Sequence, residues 1–268
     1  MKFLKISQIQ FEAKPTPQEN CDQLYRYFKK TLQFQPDLIC TPECSNIITG
    51  DQKHLFKNTN YEEDCPILKM SKEFSKKNKI FINLGSLLLK TKRYNKLVNR
   101  SFLIDNHGNI RAFYDKIHMF DVTINKEEKY KESASFRSGN KLILAKIKNV
   151  KFGFTICYDL RFPNLFRQLA KKGAEVILMP AAFTVPTGKD HWETLVRARA
   201  IENFSFLIAT NMCGTHHTNR KTYGHSLAIN PWGKIINKAF SRPKIINSKI
   251  NLDEVKNARK KIPSLNYV

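Results

Sequence analysis

Residues 152–163 have the sequence FGFTICYDLRFP, and this stretch decides the fold class of the chain. The run FGFTI is typical of a buried strand, and the polar residues that follow it, with Pro163, predict a turn into a helix. Such a turn presents Cys157 at the carboxyl end of the strand, near helix N-terminal amides that favour a thiolate. We therefore expect a layered α/β fold in which Cys157 is a candidate nucleophile.

Two further segments place a charged side chain at the end of a β-like segment. Residues 37–43 (DLICTPE) form a short apolar strand that stops at a proline and is followed by Glu43. Residues 114–121 (YDKIHMFD) place Lys116 after a strand, among aromatic and apolar neighbours. Because strand ends converge on one side of the sheet in layered α/β proteins, we expect Glu43, Lys116 and Cys157 to meet in a small-molecule site.

Each of these residues also has an ordinary explanation when it is taken alone. Cys157 could be one of the many buried cysteines that are chemically inert. Glu43 could be a solvated loop acid, and Lys116 could simply be one of 34 lysines. The functional interpretation depends on the occurrence of all three together.

The order of these segments resembles the nitrilase (carbon–nitrogen hydrolase) superfamily along nearly the whole chain. Pro42-Glu43, Tyr114–His118 and Cys157–Pro163 resemble the three catalytic motifs of the family. Further blocks match in order: Glu132-Ser133 with Gly139, Thr187-Gly188 with residues 191–193 (HWE), residues 197–203 (RARAIEN), residues 223–226 (YGHS) and residues 230–233 (NPWG). One such block is weak evidence, whereas the series at family-like spacing is specific.

The resemblance implies an α-β-β-α sandwich, in which two mixed sheets are stacked and flanked by helices. It also implies a single carbon–nitrogen hydrolase domain over residues 1–268. Family members pair their helices into dimers, so we expect a homodimer with an eight-layered arrangement, or a higher homo-oligomer.

The resemblance further implies hydrolysis of linear amides, rather than peptide bonds, through a cysteine thioester. Cys157 would attack the carbonyl carbon, Glu43 would carry its proton to the leaving nitrogen, and Lys116 would stabilise the oxyanion with the backbone N–H of Tyr158. Glu132 resembles a second carboxylate that positions Lys116 and the substrate amide. Because burial raises the pKa of a carboxyl and an adjacent ammonium lowers it, we expect Glu43 to be poised near neutrality.

The residues after the cysteine resemble those of amidases that act on ω-amides of keto acids and their peptide derivatives. In that branch Arg161 is expected to bind a substrate carboxylate bidentately, although it could instead pair with Asp159 or a helix end. The other residues expected to contact substrate are Tyr158, Phe183, Thr184 and Thr187.

Several functions stay open at this point. Residues 211–217 (NMCGTHH) resemble the corresponding loop of family members that act on deaminated glutathione, which implies that substrate; the alternative is an ω-amidase acting on α-ketoglutaramate or α-ketosuccinamate. The dipeptide Tyr158-Asp159 argues against a nitrilase or a carbamoylase. The intact Glu–Lys–Cys set argues against a non-catalytic binding protein on the same fold.

No metal or organic cofactor is expected. Cys213, His216, His217 and His225 are potential ligands close together in sequence, but their spacing matches no standard zinc pattern, and the loop is expected to border the pocket or a subunit interface. Two departures from the family pattern, Cys44 after Glu43 and Arg137 before Ser138-Gly139, are candidates for shaping the pocket.

The composition limits the classes of binding partner that we expect for this protein. The formal net charge is +23, but lysines outnumber arginines 34 to 12 and are dispersed along the chain, which disfavours specific nucleic-acid binding. A basic surface would instead steer a small anionic amide substrate toward the pocket. No signal peptide or membrane-spanning apolar run is found, so we expect a cytoplasmic protein with no membrane partner.

A coarse assignment supports the layered architecture. Turns are predicted at Asp105–Asn109 and Asn230–Gly233. Strands are predicted near residues 3–11, 37–41, 80–88, 98–105, 109–114, 142–147, 151–156, 174–179, 206–211, 224–229, 234–240 and 245–250. Helices are predicted near residues 17–34, 64–78, 160–172, 190–203 and 252–261.

Overall fold

The computed structural model describes residues 3–124 and 129–267. The strands are β1 (Phe3–Gln10), β2 (Leu38–Cys40), β3 (Phe81–Lys90), β4 (Leu97–Ile104), β5 (Ile110–Asp115), β6 (Asp121–Thr123), β7 (Lys129–Lys131), β8 (Leu144–Ile147), β9 (Val150–Phe154), β10 (Val176–Leu178), β11 (Phe206–Ala209), β12 (Cys213–Thr215), β13 (Lys221–Tyr223), β14 (Leu227–Ile229), β15 (Ile235–Lys238) and β16 (Lys244–Asn251).

The helices lie between these strands. The α-helices are α1 (Pro17–Thr31), α2 (Gln52–Asn58), α3 (Pro66–Asn78), α4 (Glu132–Ser135), α5 (Pro163–Lys171), α6 (Val185–Thr187), α7 (Glu193–Asn203) and α8 (Asp253–Lys261). Single turns of 3₁₀-helix occupy Leu32–Phe34, Glu62–Asp64, Cys157–Arg161 and Ser264–Asn266, and a π-helical turn occupies Gly188–Trp192.

Two mixed sheets form the centre of the molecule. The first has the strand order β16-β1-β2-β3-β4-β5, with β1, β2 and β3 mutually parallel. The second has the order β15-β14-β11-β10-β9-β8, with β9, β10 and β11 mutually parallel. The remaining pairings within both sheets are antiparallel.

The alternation along β1 shows how the layers are stacked. Leu4 and Ile6 point into a core shared with the second sheet, which includes Phe152. Ile9, on the other face, packs in a separate core with Leu24 of α1 and other helical residues. Because side chains alternate between faces with a period of two, one face of the first sheet covers the second sheet and the other is covered by helices. Helices α5 and α7 pack on the second sheet, and the α-β-β-α sandwich expected from the sequence is confirmed.

The topology brings particular strand ends together. Strand β5 is antiparallel to β4, and β4 is antiparallel to β3, so β5 runs in the same direction as β2 and β3. The segments after β2 and β5 therefore leave the first sheet at the same edge. These segments carry Glu43 and Lys116.

Most of the predicted elements are present, with corrections at their ends. The helix predicted from residue 160 begins at Pro163, because Cys157–Arg161 forms a 3₁₀ turn. The strand predicted from residue 224 begins at Leu227, because Gly224 and His225 have positive φ angles of 71° and 57°. Helix α2 and the hairpins β6–β7 and β12–β13 were not predicted, since short amphipathic segments give little periodic signal.

Both predicted turns are confirmed. In the first, the backbone N–H of Gly108, whose φ is 83°, donates to Asp105. In the second, the N–H of Gly233, whose φ is 75°, donates to Asn230.

The remaining expectations concern a membrane and a second copy of the chain. Within the described residues, no helix is both long and apolar enough to cross a membrane. The homodimer involves a second chain and stays a prediction.

A bulge in β3 holds the segment that carries Glu43. The pairing of β3 with β4 shifts register between Leu84 and Leu87. At this bulge the N–H of Gly85 donates to Thr41 Oγ1 over 3.0 Å, and Ser86 N–H donates to the Pro42 carbonyl over 3.1 Å. A Cβ on Gly85 would lie 1.9 Å from the Thr41 carbonyl oxygen, so only glycine allows this close approach.

We expect Gly85→Ala to displace the Thr41–Ser45 segment and to lower the free energy of unfolding by about 2–3 kcal/mol, as overpacking does in other cores. Activity should fall further than stability alone explains, because Glu43 moves with the segment. Urea unfolding and steady-state rates measure the two effects. Gly153→Ala is the matched control: the nearest contact of its Cβ would be the flexible Leu169 side chain at 3.1 Å, so its cost should be smaller. Equal losses in the two variants would contradict this account.

Candidate active site

Glu43 lies in a tight turn after β2, at the edge of the first sheet. Its carboxylate is buried, with only 4% of the residue exposed. One oxygen, Oε2, accepts a hydrogen bond of 2.9 Å from the backbone N–H of Ala182, which follows β10 of the second sheet. The carboxylate therefore bridges the two sheets.

Lys116 follows β5 directly and is held by backbone contacts on both sides. Its N–H donates to the carbonyl of Asn99 in β4, and its own carbonyl accepts from the N–H of Gly139 over 2.8 Å. A Cβ on Gly139 would lie 2.2 Å from the Asp115 carbonyl oxygen, which explains the glycine in this block. Lys116 is 2% exposed, so its ammonium is removed from water.

Cys157 occupies a constrained position between β9 and α5. Its φ is 48°, in the left-handed region that non-glycine residues rarely adopt, and its N–H donates to the Pro180 carbonyl over 2.8 Å. Strained backbone of this kind persists only where the surroundings fix it. Here the surroundings are supplied by Asp159.

Asp159 is fully buried and fixes the turn that carries Cys157. Its Oδ2 accepts from the N–H of Ile156 over 2.8 Å and from the Tyr114 hydroxyl over 2.7 Å. Its Oδ1 lies 2.6 Å from Nδ1 of His118. Since Tyr114 and His118 flank Lys116 in sequence, this carboxylate ties the lysine segment to the cysteine turn.

The Lys116 ammonium lies between two carboxylates. Its Nζ is 2.9 Å from Glu43 Oε1 and 2.9 Å from Glu132 Oε2. Glu132, the first residue of α4, also accepts from the backbone N–H of Phe120 over 2.6 Å. The second carboxylate expected from the sequence thus lies against Lys116.

Asn99 is a site residue that the sequence did not single out. Its side-chain amide donates to Glu43 Oε1 over 2.9 Å and to Glu132 Oε1 over 3.3 Å, so it holds the two carboxylates together. A polar residue inside an apolar strand (Leu97-Val98-Asn99) was the available signal, because buried polar groups are almost always hydrogen-bonded.

The protonation states follow from burial and from these charges. Burial raises the pKa of Glu43, but the Lys116 charge and the polar contacts with Cys157, Lys116 and Asn99 lower it by more. The pKa of Glu43 therefore lies below its ordinary value. Burial lowers the pKa of Lys116, but Glu132 and Glu43 raise it well above its ordinary value. The cluster therefore rests as an ammonium with an ionised Glu43.

The resting state of Cys157 differs from the sequence expectation. Burial and the negative charge of Glu43 raise the pKa of the Cys157 thiol well above its ordinary value, and the positive charge of Lys116 opposes this only in part. The expectation of a stabilised thiolate is therefore wrong, as is that of Glu43 poised near neutrality. At rest Cys157 is therefore a thiol close to the ionised Glu43 carboxylate.

This arrangement can carry out base-assisted nucleophilic attack. A buried thiol and an ionised carboxylate line the same cavity, and an ammonium lies 2.9 Å from that carboxylate. Tyr158 is the second residue of the 3₁₀ turn, where a backbone N–H has no acceptor within the turn. Thiol, base and two donors for a developing oxyanion are the groups that acyl transfer needs.

A cavity of about 250 Å³ opens onto these groups. Of the residues predicted to contact substrate, those in its lining are Tyr158, Phe183, Thr184 and Thr187. Arg161 is not brought into the lining: its Nη2 lies 3.1 Å from Nδ1 of His191. Cys44 lines the cavity, whereas the exposed Arg137 stacks on Tyr94, with its guanidinium 3.9 Å from the ring centroid.

The Cys213–His217 segment and His225 have structural contacts of their own. His216 is buried, with Nε2 2.7 Å from Thr222 Oγ1, and burial lowers its pKa to about 4. His217 stacks on His54 with ring centroids 4.2 Å apart, and the Trp192 indole donates to the His225 carbonyl. Throughout residues 3–124 and 129–267, no group of three or more His, Cys, Asp or Glu side chains is arranged to hold a metal ion.

Comparison with known families agrees with this geometry. The carbon–nitrogen hydrolase family model matches residues 5–260. The chain belongs to the carbon–nitrogen hydrolase family. Its members are hydrolases of carbon–nitrogen bonds, and the family resemblance noted in the sequence is confirmed.

Individual carbon–nitrogen hydrolases align with nearly the whole chain. The deaminated glutathione amidase of Yersinia enterocolitica is 34% identical over 269 residues, which cover 100% of this chain and 93% of that protein. The deaminated glutathione amidase of Dictyostelium discoideum is 34% identical over 276 residues, covering 99% and 94%.

Solved structures of this family superpose closely. The C. elegans NitFhit protein matches with a TM-score of 0.93 and 29% identity, covering 100% of this chain and 65% of NitFhit. Saccharomyces cerevisiae Nit3, a member of branch 10 of the nitrilase superfamily, matches with a TM-score of 0.87 and 25% identity, covering 98% and 95%.

We expect Lys116→Met to destabilise the protein in a pH-dependent way. Without the ammonium, two carboxylates face each other, and breaking a buried ion pair costs about 3–5 kcal/mol. Burial then raises the pKa of Glu43, so stability is retained while this carboxyl is protonated and is lost as the pH rises through its new pKa.

Urea unfolding at pH 5 and pH 8 measures this effect. The variant should lose more stability between pH 5 and pH 8 than the wild type. Lys171→Met, at an exposed position on α5, is the matched control and should follow the wild type. Parallel pH dependence in all three proteins would contradict the charge assignment.

Proposed function

We propose that this carbon–nitrogen hydrolase is a thiol amidase that hydrolyses deaminated glutathione to 2-oxoglutarate and cysteinylglycine. The observation that supports the proposal is the buried cluster in which Lys116 Nζ lies 2.9 Å from Glu43 and Cys157 lines the same cavity as both. Cys157 is the nucleophile, Glu43 the general base and acid, and Lys116 the oxyanion donor. Glu132 positions Lys116.

The first half of the reaction forms the thioester. As the Cys157 sulfur bonds to the amide carbon, its proton moves to Glu43 and the carbonyl electron pair moves onto oxygen. The Lys116 ammonium and the Tyr158 N–H stabilise that oxyanion. When the intermediate collapses, the carbon–nitrogen bond breaks and Glu43 gives its proton to the leaving amine.

The second half regenerates the thiol. Glu43, now ionised again, takes a proton from a water molecule while the oxygen of that water attacks the thioester carbon. The carbon–sulfur bond then breaks, the acid product leaves, and the proton held by Glu43 returns to Cys157. Because the pKa of Glu43 is lowered and that of Cys157 is raised, the proton rests on Cys157 before substrate binds.

The charge of the cavity supports an anionic substrate. Deaminated glutathione carries one carboxylate on the keto-acid side of the scissile amide and another on its glycine. The cavity lining includes Arg220, Lys129 and Lys131 besides Lys116. The relatives from Yersinia enterocolitica and Dictyostelium discoideum named for this substrate, each covered over more than nine-tenths of its length, support the same choice.

The test is the release of 2-oxoglutarate from deaminated glutathione and from α-ketoglutaramate by purified protein. We expect the wild type to prefer deaminated glutathione. Cys157→Ala and Glu43→Gln should lower kcat by about 10³-fold or more, because each removes a group that acts in the transition state. Cys21→Ala removes a thiol on α1, distant in sequence from Cys157, and is the matched control for loss of a cysteine.

The outcomes separate mechanism from substrate. A preference for α-ketoglutaramate would keep the mechanism and make the protein an ω-amidase. Activity that survives Cys157→Ala would overturn the mechanism. If the wild type released product from neither amide, a nitrile and an N-carbamoyl amino acid would show whether another member of the carbon–nitrogen substrate class is used.

A further inference from the structure

The hairpin β12–β13 places an arginine against the cavity that the proposed mechanism does not use. Arg220, in the turn before β13, belongs to the cavity lining, and its guanidinium lies 5.4 Å from the centroid of the Tyr130 ring. Its Nε is buried and has no hydrogen-bond partner. Arg220 takes part in none of the ion pairs found among residues 3–124 and 129–267. A buried guanidinium N–H without an acceptor favours an anion that arrives with the ligand.

The hairpin that carries Arg220 is fixed on both sides. The Arg220 carbonyl accepts from the His216 N–H over 2.8 Å, and Thr218 and Asn219 between them have φ angles of 63° and 58°. His217 Nδ1 lies 2.8 Å from Oγ1 of Thr49, which belongs to the cavity lining. The arginine is therefore supported by a tight two-residue turn rather than by a free loop.

The hairpin packs closely against Glu12 at Gly214, near its start. The φ of Gly214 is 95°, and a Cβ there would lie 2.2 Å from Glu12 Oε2. The buried His216 is hydrogen-bonded within the hairpin to Thr222. Such support places a cation before the substrate arrives, which lowers the cost of ordering it on binding.

The other cations near the site are less suited to this role. The Lys116 ammonium is already shared by Glu43 and Glu132. Arg161 contacts His191 and lies outside the lining. Lys129 and Lys131 line the cavity but are exposed, so water screens their charge.

We propose that Arg220 is the specificity-determining residue that binds a carboxylate of the amide substrate, in the role that the sequence assigns to Arg161. This inference rests on the proposed function for its substrate. An arginine fork matches a carboxylate bidentately, which a lysine cannot do. The carboxylate is either the one on the keto acid or the one on the glycine of deaminated glutathione.

Steady-state kinetics of Arg220→Gln and Arg220→Lys test the role. For deaminated glutathione, Arg220→Gln should lower kcat/KM about 10- to 100-fold, mainly through KM, because the carboxylate is bound in ground and transition states alike. Arg220→Lys should recover part of the loss. Arg93→Gln is the matched control, since Arg93 is exposed and also lies near a tyrosine ring, that of Tyr94.

The two amides distinguish the carboxylates. A similar loss on α-ketoglutaramate assigns Arg220 to the keto-acid carboxylate, and a loss restricted to deaminated glutathione assigns it to the glycine carboxylate. An equal change in kcat/KM for Arg220→Gln and Arg93→Gln would overturn the proposal. So would a loss that is seen in Arg161→Gln and is absent from Arg220→Gln.

Alkylation of Cys157 gives a readout that does not need an amide substrate. Iodoacetate carries a carboxylate and iodoacetamide does not, and both form the same sulfur–carbon bond with loss of iodide. We expect Arg220→Gln to lower the ratio of the iodoacetate rate to the iodoacetamide rate at Cys157 by about threefold or more, with the site of labelling identified by mass spectrometry.

A ratio equal to that of wild type and Arg93→Gln would contradict an anion-binding role for Arg220. A changed ratio in a protein that hydrolyses neither amide would support Arg220 as an anion site while overturning the proposed function. The two inferences therefore fail separately.

Discussion

One buried ammonium between two carboxylates is the interaction on which the site depends. Lys116 Nζ lies 2.9 Å from both Glu43 and Glu132, and the lysine is almost fully removed from water. Such a cluster needs its ammonium, because removing one partner of a buried ion pair leaves an uncompensated buried charge. Two carboxylates against one ammonium leave an excess negative charge beside Cys157. Burial and the negative charge of Glu43 together keep the Cys157 thiol protonated.

Hydrogen bonds between the two sheets hold the residues of the site in place. Glu43 belongs to the first sheet, but its Oε2 is bound by the Ala182 N–H from the second sheet. Asp159, after the second sheet, is bound by Tyr114 from the first. Because each sheet supplies hydrogen bonds to the catalytic segment of the other, the active-site geometry forms only when the two sheets pack.

The sequence predicted the fold class and the Glu43, Lys116 and Cys157 constellation, because strand ends and their flanking residues are local features. A polar Asn99 inside an apolar strand was a local signal, but the carboxylates that it binds and the close contacts of Gly85 come from segments distant in sequence. Arg220 stood among 12 arginines with no local signal. The ionisation of Cys157 was predicted wrongly, since the turn suggested helix amides, whereas the nearby Glu43 charge and burial dominate the pKa.

We propose that Cys157 rests as a protonated thiol close to an ionised Glu43. Thiolate absorbance near 240 nm, measured from pH 6 to pH 9 as the difference between wild type and Cys157→Ala, tests it without any substrate. We expect no thiolate from Cys157 across this range, because burial and the Glu43 charge raise its pKa well above that of an unperturbed thiol. A titration with a midpoint near neutrality would contradict it and would indicate a preformed thiolate–ammonium pair with Lys116.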